Sequence, residues 1–294
     1  MKLYRVGSRG PEVKQIQELV GSDADGIFGR GTAKAVADWQ AENGLPADGI
    51  VGPQTWEAMF PPSTDNSERS FTTEEGLHIE NYLLSPDEYK AGPTEKEYLF
   101  LHHTAGWHNP YKVIDDWERD NRGAVATEFV VGGPSVKGNN DDYDGMVLKA
   151  FPEDGYAWHL GKNGSQYMHT HSIGIEVCNF GWIQDGKTYA GTRVADSQLV
   201  ELAEPFRGYK TWHRYSDEQL ESLRKLILFI ADRDDIDVRK GLVEEIRAKG
   251  AAGFEFNDDA FYGKVKGMWT HTNTRKDKTD MFPQQELMDM LVSL

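Results

Sequence analysis

The chain has 294 residues, of which 38% are hydrophobic and 27% charged, and carries a formal net charge of −16 at pH 7. This is the make-up of a folded protein with room for one sizeable core and a small extra module. The acidic balance argues against a nucleic-acid polyanion as main partner and against electrostatic adhesion to an anionic membrane.

No apolar run approaches the ~18–20 residues of a membrane span. The start, MKLYRVGSRGPEV, lacks the apolar core of a secretory signal. Synthesis in a cytoplasm without a signal peptide is therefore expected, with no membrane insertion. Cys178 is the sole cysteine, so neither an intrachain disulfide nor a cysteine zinc cluster can form. Nothing in the sequence points beyond a monomer.

The first elements are repeated. ADGIFGRGTAKAV (24–36) returns as ADGIVGPQTWEAM (47–59). Asp-Gly supplies a turn in each copy, and Thr32 and Thr55 read as helix N-caps. Val13, Ile16, Gln17 and Val20 have helical spacing, as do Ala35, Val36 and Trp39. The prediction is a small all-α domain of three short helices over 1–60. The run GSRGPEVKQIQELV…DGIFGRGTAKAVADWQAENGLPADGIVGPQTWEAM resembles the peptidoglycan-binding domain 1 family across roughly 5–60. The resemblance implies a noncatalytic module that holds bacterial peptidoglycan.

Residues 61–76, PPSTDNSERSFTTEEG, have no apolar periodicity and read as a linker. The remainder, 77–294, mixes strand and helix patterns. EYLFLHH, TEFVVGG and SIGIEVCN read as strands. SDEQLESLRKLILFIADRDD reads as a helix, with a Ser216/Gln219 capping box and a stripe of Leu220, Leu223, Leu226, Ile227 and Ile230. A last helix starts near Pro283. A mixed sheet flanked by helices fits this order.

In LFLHHTAGW (99–107) two histidines close an apolar run. Alternation puts Tyr98, Phe100 and His102 on one face and Leu99, Leu101 and His103 on the other. Both faces are apolar, which predicts a central, buried strand. The two histidines then cannot serve one site together unless the chain twists. Far along the chain, WTHTNTRKDKTDMFP places His271 before Asp280. Two histidines and a carboxylate can make a three-ligand zinc site with the fourth position open. With nine histidines in the chain, spacing alone leaves many other triples open.

EYLFLHHTAGW, AWHLG (157–161), SIGIEVCN (172–179) and H-x8-D with KTD occur in the order seen in type 2 N-acetylmuramoyl-L-alanine amidases, relatives of the peptidoglycan recognition proteins. The resemblance covers about 95–290. It implies a mixed-sheet α/β zinc amidase domain that cleaves the amide between N-acetylmuramic acid and L-alanine. It places zinc (Zn2+) on His102, His271 and Asp280, a catalytic glutamate at Glu176, and an oxyanion-stabilising lysine at Lys278. His103 would be packed or hydrogen-bonded. His159 falls in a family motif and reads as a pocket residue or as one that supports a ligand, rather than as a ligand itself.

This chain departs from the pattern where many relatives carry Tyr-His, which here is Thr127-Glu128, so a tyrosine role is absent or moved. Cys178 as a nucleophile is the rival reading, against a small buried hydrophobe. The expectation is a modular amidase degrading bacterial peptidoglycan, a phage endolysin that acts on the wall after release. The alternatives are a noncatalytic recognition protein, a bacterial autolysin and a muropeptide-recycling amidase. The first sixty residues carry six Lys/Arg and eight Asp/Glu, so the acidity lies almost wholly outside them.

Overall fold

The computed structural model describes residues 3–60, 70–91, 95–161 and 164–294. The chain divides into two compact units, 1–66 and 67–294.

In the first unit, helices Pro11–Val20, Arg30–Glu42 and Pro53–Met59 enclose a core of Tyr4, Val13, Ile16, Phe28, Val36, Val51 and Met59. Gly26 and Gly49 take the left-handed conformation in the two Asp-Gly turns. Each turn is held by one glutamine. Gln17 Nε2 donates to Asp25 Oδ1, Ile27 O and Thr32 Oγ1, and Gln17 Oε1 accepts from Gly26 N. Gln40 does the same with Asp48, Ile50, Thr55 and Gly49.

The predicted caps are corrected by this arrangement. The N-caps are Gly29 and Gly52, with extended backbone and no side-chain cap bond. Thr32 and Thr55 lie inside their helices with buried hydroxyls. They serve as acceptors for the glutamine amides, because a buried N–H needs a partner more than a solvated helix end does.

In the second unit, strands β1 (Ser70–Thr72), β2 (His78–Asn81), β4 (Tyr98–His103), β5 (Phe129–Val131), β6 (Val147–Lys149), β8 (Ser172–Val177) and β11 (Gly267–Thr270) form a mixed sheet of order β1-β2-β6-β5-β8-β4-β11. Strands β5, β8, β4 and β11 run parallel. Two small ribbons, β3 (Lys90–Ala91) with β7 (Gly155–Tyr156) and β9 (Leu199–Phe206) with β10 (Tyr209–His213), complete the strands. Most of the predicted linker, 61–69, lies outside the described residues. Its end does not behave as one, since Ser70–Thr72 pairs antiparallel with β2 and Phe71 packs on the core and on Phe229.

The capping box at Ser216 forms, and helix Asp217–Asp234 buries the Leu220, Leu223, Leu226, Ile227 and Ile230 stripe. Phe129, Val131, Val147, Ile173 and Ile175 share that core. Val130 and Leu148, of opposite strand parity, join the cluster with Ile114 and Trp117 of helix Pro110–Arg119. The sheet is thus covered on both faces, as parallel strands require. Among the described residues no helix is long and apolar enough to cross a membrane.

Candidate metal centre

The site forms at the carboxyl ends of three parallel strands, the usual place for a site in an open α/β sheet. Strand β4 is buried throughout. Its register with β8 sets His102 beside Glu176, and β11 pairs Thr270 with Leu101, so His271 follows at the next level. Thr270 N and Oγ1 both donate to Asn273 Oδ1, and Asn273 Nδ2 donates to Gly253 O and Glu255 O. These bonds fix the short helix His271–Thr274. The return loop is tied to it by Thr272 N to Asp280 O at 3.0 Å. Phe282, stacked at 4.4 Å on Trp212 and 4.6 Å on Tyr215, anchors the chain just beyond Asp280.

His102, His271 and Asp280 converge and are buried. His102 Nδ1 lies 3.1 Å from His271 Nδ1 and 3.4 Å from Asp280 Oδ2, and His271 Nδ1 lies 3.0 Å from the same oxygen. Tetrahedral zinc with bonds of about 2.0–2.1 Å has donor-to-donor edges of about 3.3–3.4 Å. Two imidazoles and one carboxylate at this spacing fit such an ion. The charge states favour a cation too. Burial pushes His102 down to about 4, which keeps it neutral. Burial opposes ionisation of Asp280, but the two imidazoles beside it outweigh burial and hold the carboxyl well below its usual range, so it stays anionic.

Glu176 points to the same side of the sheet as His102. The residue keeps some exposure, yet its Oε2 is buried and has no hydrogen-bond partner. Burial and the Asp280 charge push its carboxyl well above the ordinary value, while Lys278 pulls the other way. Lys278 is half-buried, and its charge also reaches His102. His271 Nε2 is a second buried atom without a partner.

The adjacent histidines separate as alternation requires. His103 Nδ1 is 2.8 Å from the Tyr215 hydroxyl and its ring meets Phe282, on the far face of β4. His159 contacts the site: its Nδ1 is 3.0 Å from His102 Nε2 and its Nε2 is 2.7 Å from Ser172 Oγ. Trp158 is half-buried and packs edge-on against His169. Glu128 is in a buried ion pair with Arg233, and Thr127 Oγ1 donates to Phe129 O. Cys178 is fully buried, and burial pushes its thiol well above its usual value, as a small hydrophobe and not a nucleophile would have it. Ser172 was not legible as part of this cluster; a serine opening a strand reads as a boundary.

Comparison with known families matches residues 9–59 to a putative peptidoglycan binding domain and residues 92–280 to N-acetylmuramoyl-L-alanine amidase. The chain belongs to the N-acetylmuramoyl-L-alanine amidase family. Among solved structures, this amidase-family chain is similar to a fused Zn-dependent amidase/peptidase/peptidoglycan-binding protein of Clostridium acetobutylicum, with 36% identity over 22% of this chain and 31% of that one and a TM-score of 0.20. The Burkholderia AP3 phage endolysin matches at 38% identity over 22% and 27% of the two chains, TM-score 0.20. PlyL matches over 67% of this chain and 84% of its own at 14% identity, TM-score 0.37. A curated relative, an uncharacterized protein of Kitasatospora aureofaciens, is 54% identical over 40 residues; the match spans about a third of its length, 34%.

Proposed function

We propose that this protein is a zinc-dependent N-acetylmuramoyl-L-alanine amidase that hydrolyses the amide between N-acetylmuramic acid and L-alanine in bacterial peptidoglycan. The observation that carries the reading is the buried His102–His271–Asp280 cluster next to a glutamate whose inner oxygen has no partner. His102, His271 and Asp280 would hold the zinc. When bound, zinc supplies a Lewis acid for the scissile carbonyl and lowers the pKa of water to about 7.

The chain's own residues do the rest. Glu176 Oε2, held beside His102 by the β4–β8 register, takes a proton from the attacking water and passes it to the departing amine of L-alanine. A carboxyl with a raised pKa is suited to hold that proton between the two transfers. The half-buried Lys278 ammonium offsets the negative charge that develops on the carbonyl oxygen. Asp280, ionised among imidazoles, contributes charge and not a proton.

The unit 1–66 holds the wall. It adds effective concentration on an insoluble substrate and no chemistry. The division into a wall-holding domain over 1–60 and an amidase over 77–294 is part of this proposal, with Ser70–Thr72 reassigned to the amidase sheet. A lytic, endolysin-like role, synthesis in a host cytoplasm and action as a monomer on the wall after release belong to the same reading, and the pairing of a wall module with an amidase supports it.

The test is digestion of purified sacculi, with products read by mass spectrometry. Free stem peptides beginning at L-alanine, beside intact glycan, are expected. They should be lost on chelation and restored by zinc. His271→Ala should lose both zinc and turnover. Peptides cut at another bond would overturn the substrate bond, and chelator-insensitive turnover would overturn the metal.

A further inference from the structure

We infer that Ser172 and His159 form a hydrogen-bonded relay that fixes the ring orientation of His102 and gives its Nε2 proton an acceptor when Nδ1 faces a cation, so that His159 is a positioning residue for the metal-binding imidazole. The inference rests on the reading of His102, His271 and Asp280 as a metal site.

The argument is one of proton count. His102 Nδ1 is the atom that faces His271 and Asp280. To bind a cation it must present a lone pair there. A neutral imidazole has one N–H, which must then sit on Nε2. That Nε2 lies 3.0 Å from His159 Nδ1, and one of two nitrogens so placed must donate while the other accepts. His159 Nδ1 therefore carries a lone pair and His159 Nε2 carries the proton. His159 Nε2 is 2.7 Å from Ser172 Oγ, and the hydroxyl can accept it. Each bond direction follows from the last.

The other tautomer of His102 would put the proton on Nδ1, donate it to Asp280 and close the site to a cation. The Ser172 hydroxyl can donate or accept, so the relay fits either state; what it fixes is the plane of the ring, and it gives the Nε2 proton of the cation-binding state a buried acceptor. Outer partners of metal-bound histidines act in this way, and losing them typically weakens metal binding ~10–100-fold.

The fold makes room for the relay. A Cβ on Gly174 would lie 3.1 Å from His159 Nδ1 and 2.6 Å from Thr127 Cγ2, so a side chain there would push the ring away. The rings of His102 and His159 are near-perpendicular, at 86° with centroids 5.2 Å apart. His271 has no counterpart, since its Nε2 is buried without a partner. The relay therefore acts on one ligand of the three.

The experiment measures zinc affinity of the full chain by competition with a chromophoric chelator, with the visible spectrum of the Co2+ form as a report on ligand geometry. His159→Phe should weaken zinc binding ~10–100-fold and alter the Co2+ spectrum. His159→Asn, whose Oδ1 can stand where Nδ1 stood, should rescue most of the loss. Ser172→Ala removes the far end of the relay without touching the ring and should weaken binding several-fold. The urea midpoint of the metal-free protein serves as the control for packing. Equal affinity in wild type, His159→Phe and Ser172→Ala would overturn the relay alone, as would His159→Asn binding as poorly as His159→Phe. Failure of the wild type to bind either metal would overturn the metal reading and the relay with it.

Discussion

Glu128 and Glu176 differ in one respect that separates structure from chemistry. Both come from the sheet region of the same unit, with Glu128 directly before β5 and Glu176 on the neighbouring β8. Glu128 is matched: Arg233 Nη1 and Nη2 donate to its two oxygens at 2.7 and 3.2 Å, and Lys149 lies 4.0 Å away. Glu176 Oε2 has no partner. A buried polar atom without a partner is destabilising, and beside a cluster of converging donors it is placed to meet something outside the polypeptide. The two glutamine-held turns of the first unit belong with Glu128, since all four polar contacts of each amide are filled. The His102–His271–Asp280 cluster, with His271 Nε2 also unpartnered, belongs with Glu176.

The largest effect expected from this contrast is at Glu176. Glu176→Gln should retain zinc and lower kcat ~10²–10⁴-fold, measured on a purified soluble muropeptide. Stability should move the other way. The folded carboxyl sits well above its ordinary value, so the folded chain holds that proton more tightly than the unfolded one. Above the unfolded value, ~4.3, stability of the metal-free protein then falls as pH rises toward the folded value. Glu176→Gln removes this slope and should raise the urea midpoint at pH 7. Full turnover in the variant would end the assignment of Glu176 as base.

Glu128→Gln should do the reverse, destabilising the unit without a direct effect on the chemical step. Breaking a buried pair typically costs about 3–5 kcal/mol. The low end is expected here, because Asp234 at 2.6 Å and Glu153 at 3.8 Å still face Arg233. Urea unfolding measures the first effect and kcat at saturating substrate the second. If Glu128→Gln instead spared stability and abolished turnover, the contrast between the two glutamates would fail.

Much of this was legible in the sequence because it follows from periodicity. The face of His102, its separation from His103, the long amphipathic helix and its capping box all come from spacings of two or 3.6 residues. The meeting of His102 with His271 and Asp280 needed the family resemblance, because parallel strands joined across 169 residues leave no local trace. Thr32 and Thr55 were misread for a different reason. Helix caps are local, but what fixes these residues is a contact 15 residues away. The signal was present: Gln17, Asp25 and Thr32 recur 23 residues later as Gln40, Asp48 and Thr55. Applying the repeat to polar positions, and not only to the turns, would have found the frame. Ser70–Thr72 reads as polar linker because an edge strand buries little.

Gln40→Ala tests the filled frame on a smaller scale. It leaves Gly49 N and the acceptors of the turn without their partner. Each unsatisfied buried group costs about 1–3 kcal/mol, part of which water can recover at the surface. A loss of about 2 kcal/mol in the first unit is expected on this basis, read as faster hydrogen exchange at the Gly49 amide and weaker retention on sacculi. Turnover on a soluble muropeptide should be unchanged. Equal loss of turnover would show that the wall module does more than hold the substrate.

The smallest effect concerns His213, which sets a limit on the contrast. Its Nε2 is buried without a partner, yet no metal-binding group forms around it among the described residues. Its Nδ1 accepts from Phe180 N at 3.2 Å, and burial pushes the ring down to about 3 from ~6.5. As pH falls below ~6.5 the unfolded chain takes up a proton here and the folded chain does not. The unfolded state binds more protons across that window, so stability falls as pH drops toward 3. The slope from one such group is at most about 1.4 kcal/mol per pH unit. His213→Asn, which can still accept from Phe180 N, should flatten that slope in urea unfolding between pH 6.5 and 4 and leave turnover at pH 7 intact. An unpartnered atom marks chemistry, on this account, only when other donors converge on it. Loss of turnover in His213→Asn with zinc still bound would show that isolated orphans also serve the reaction.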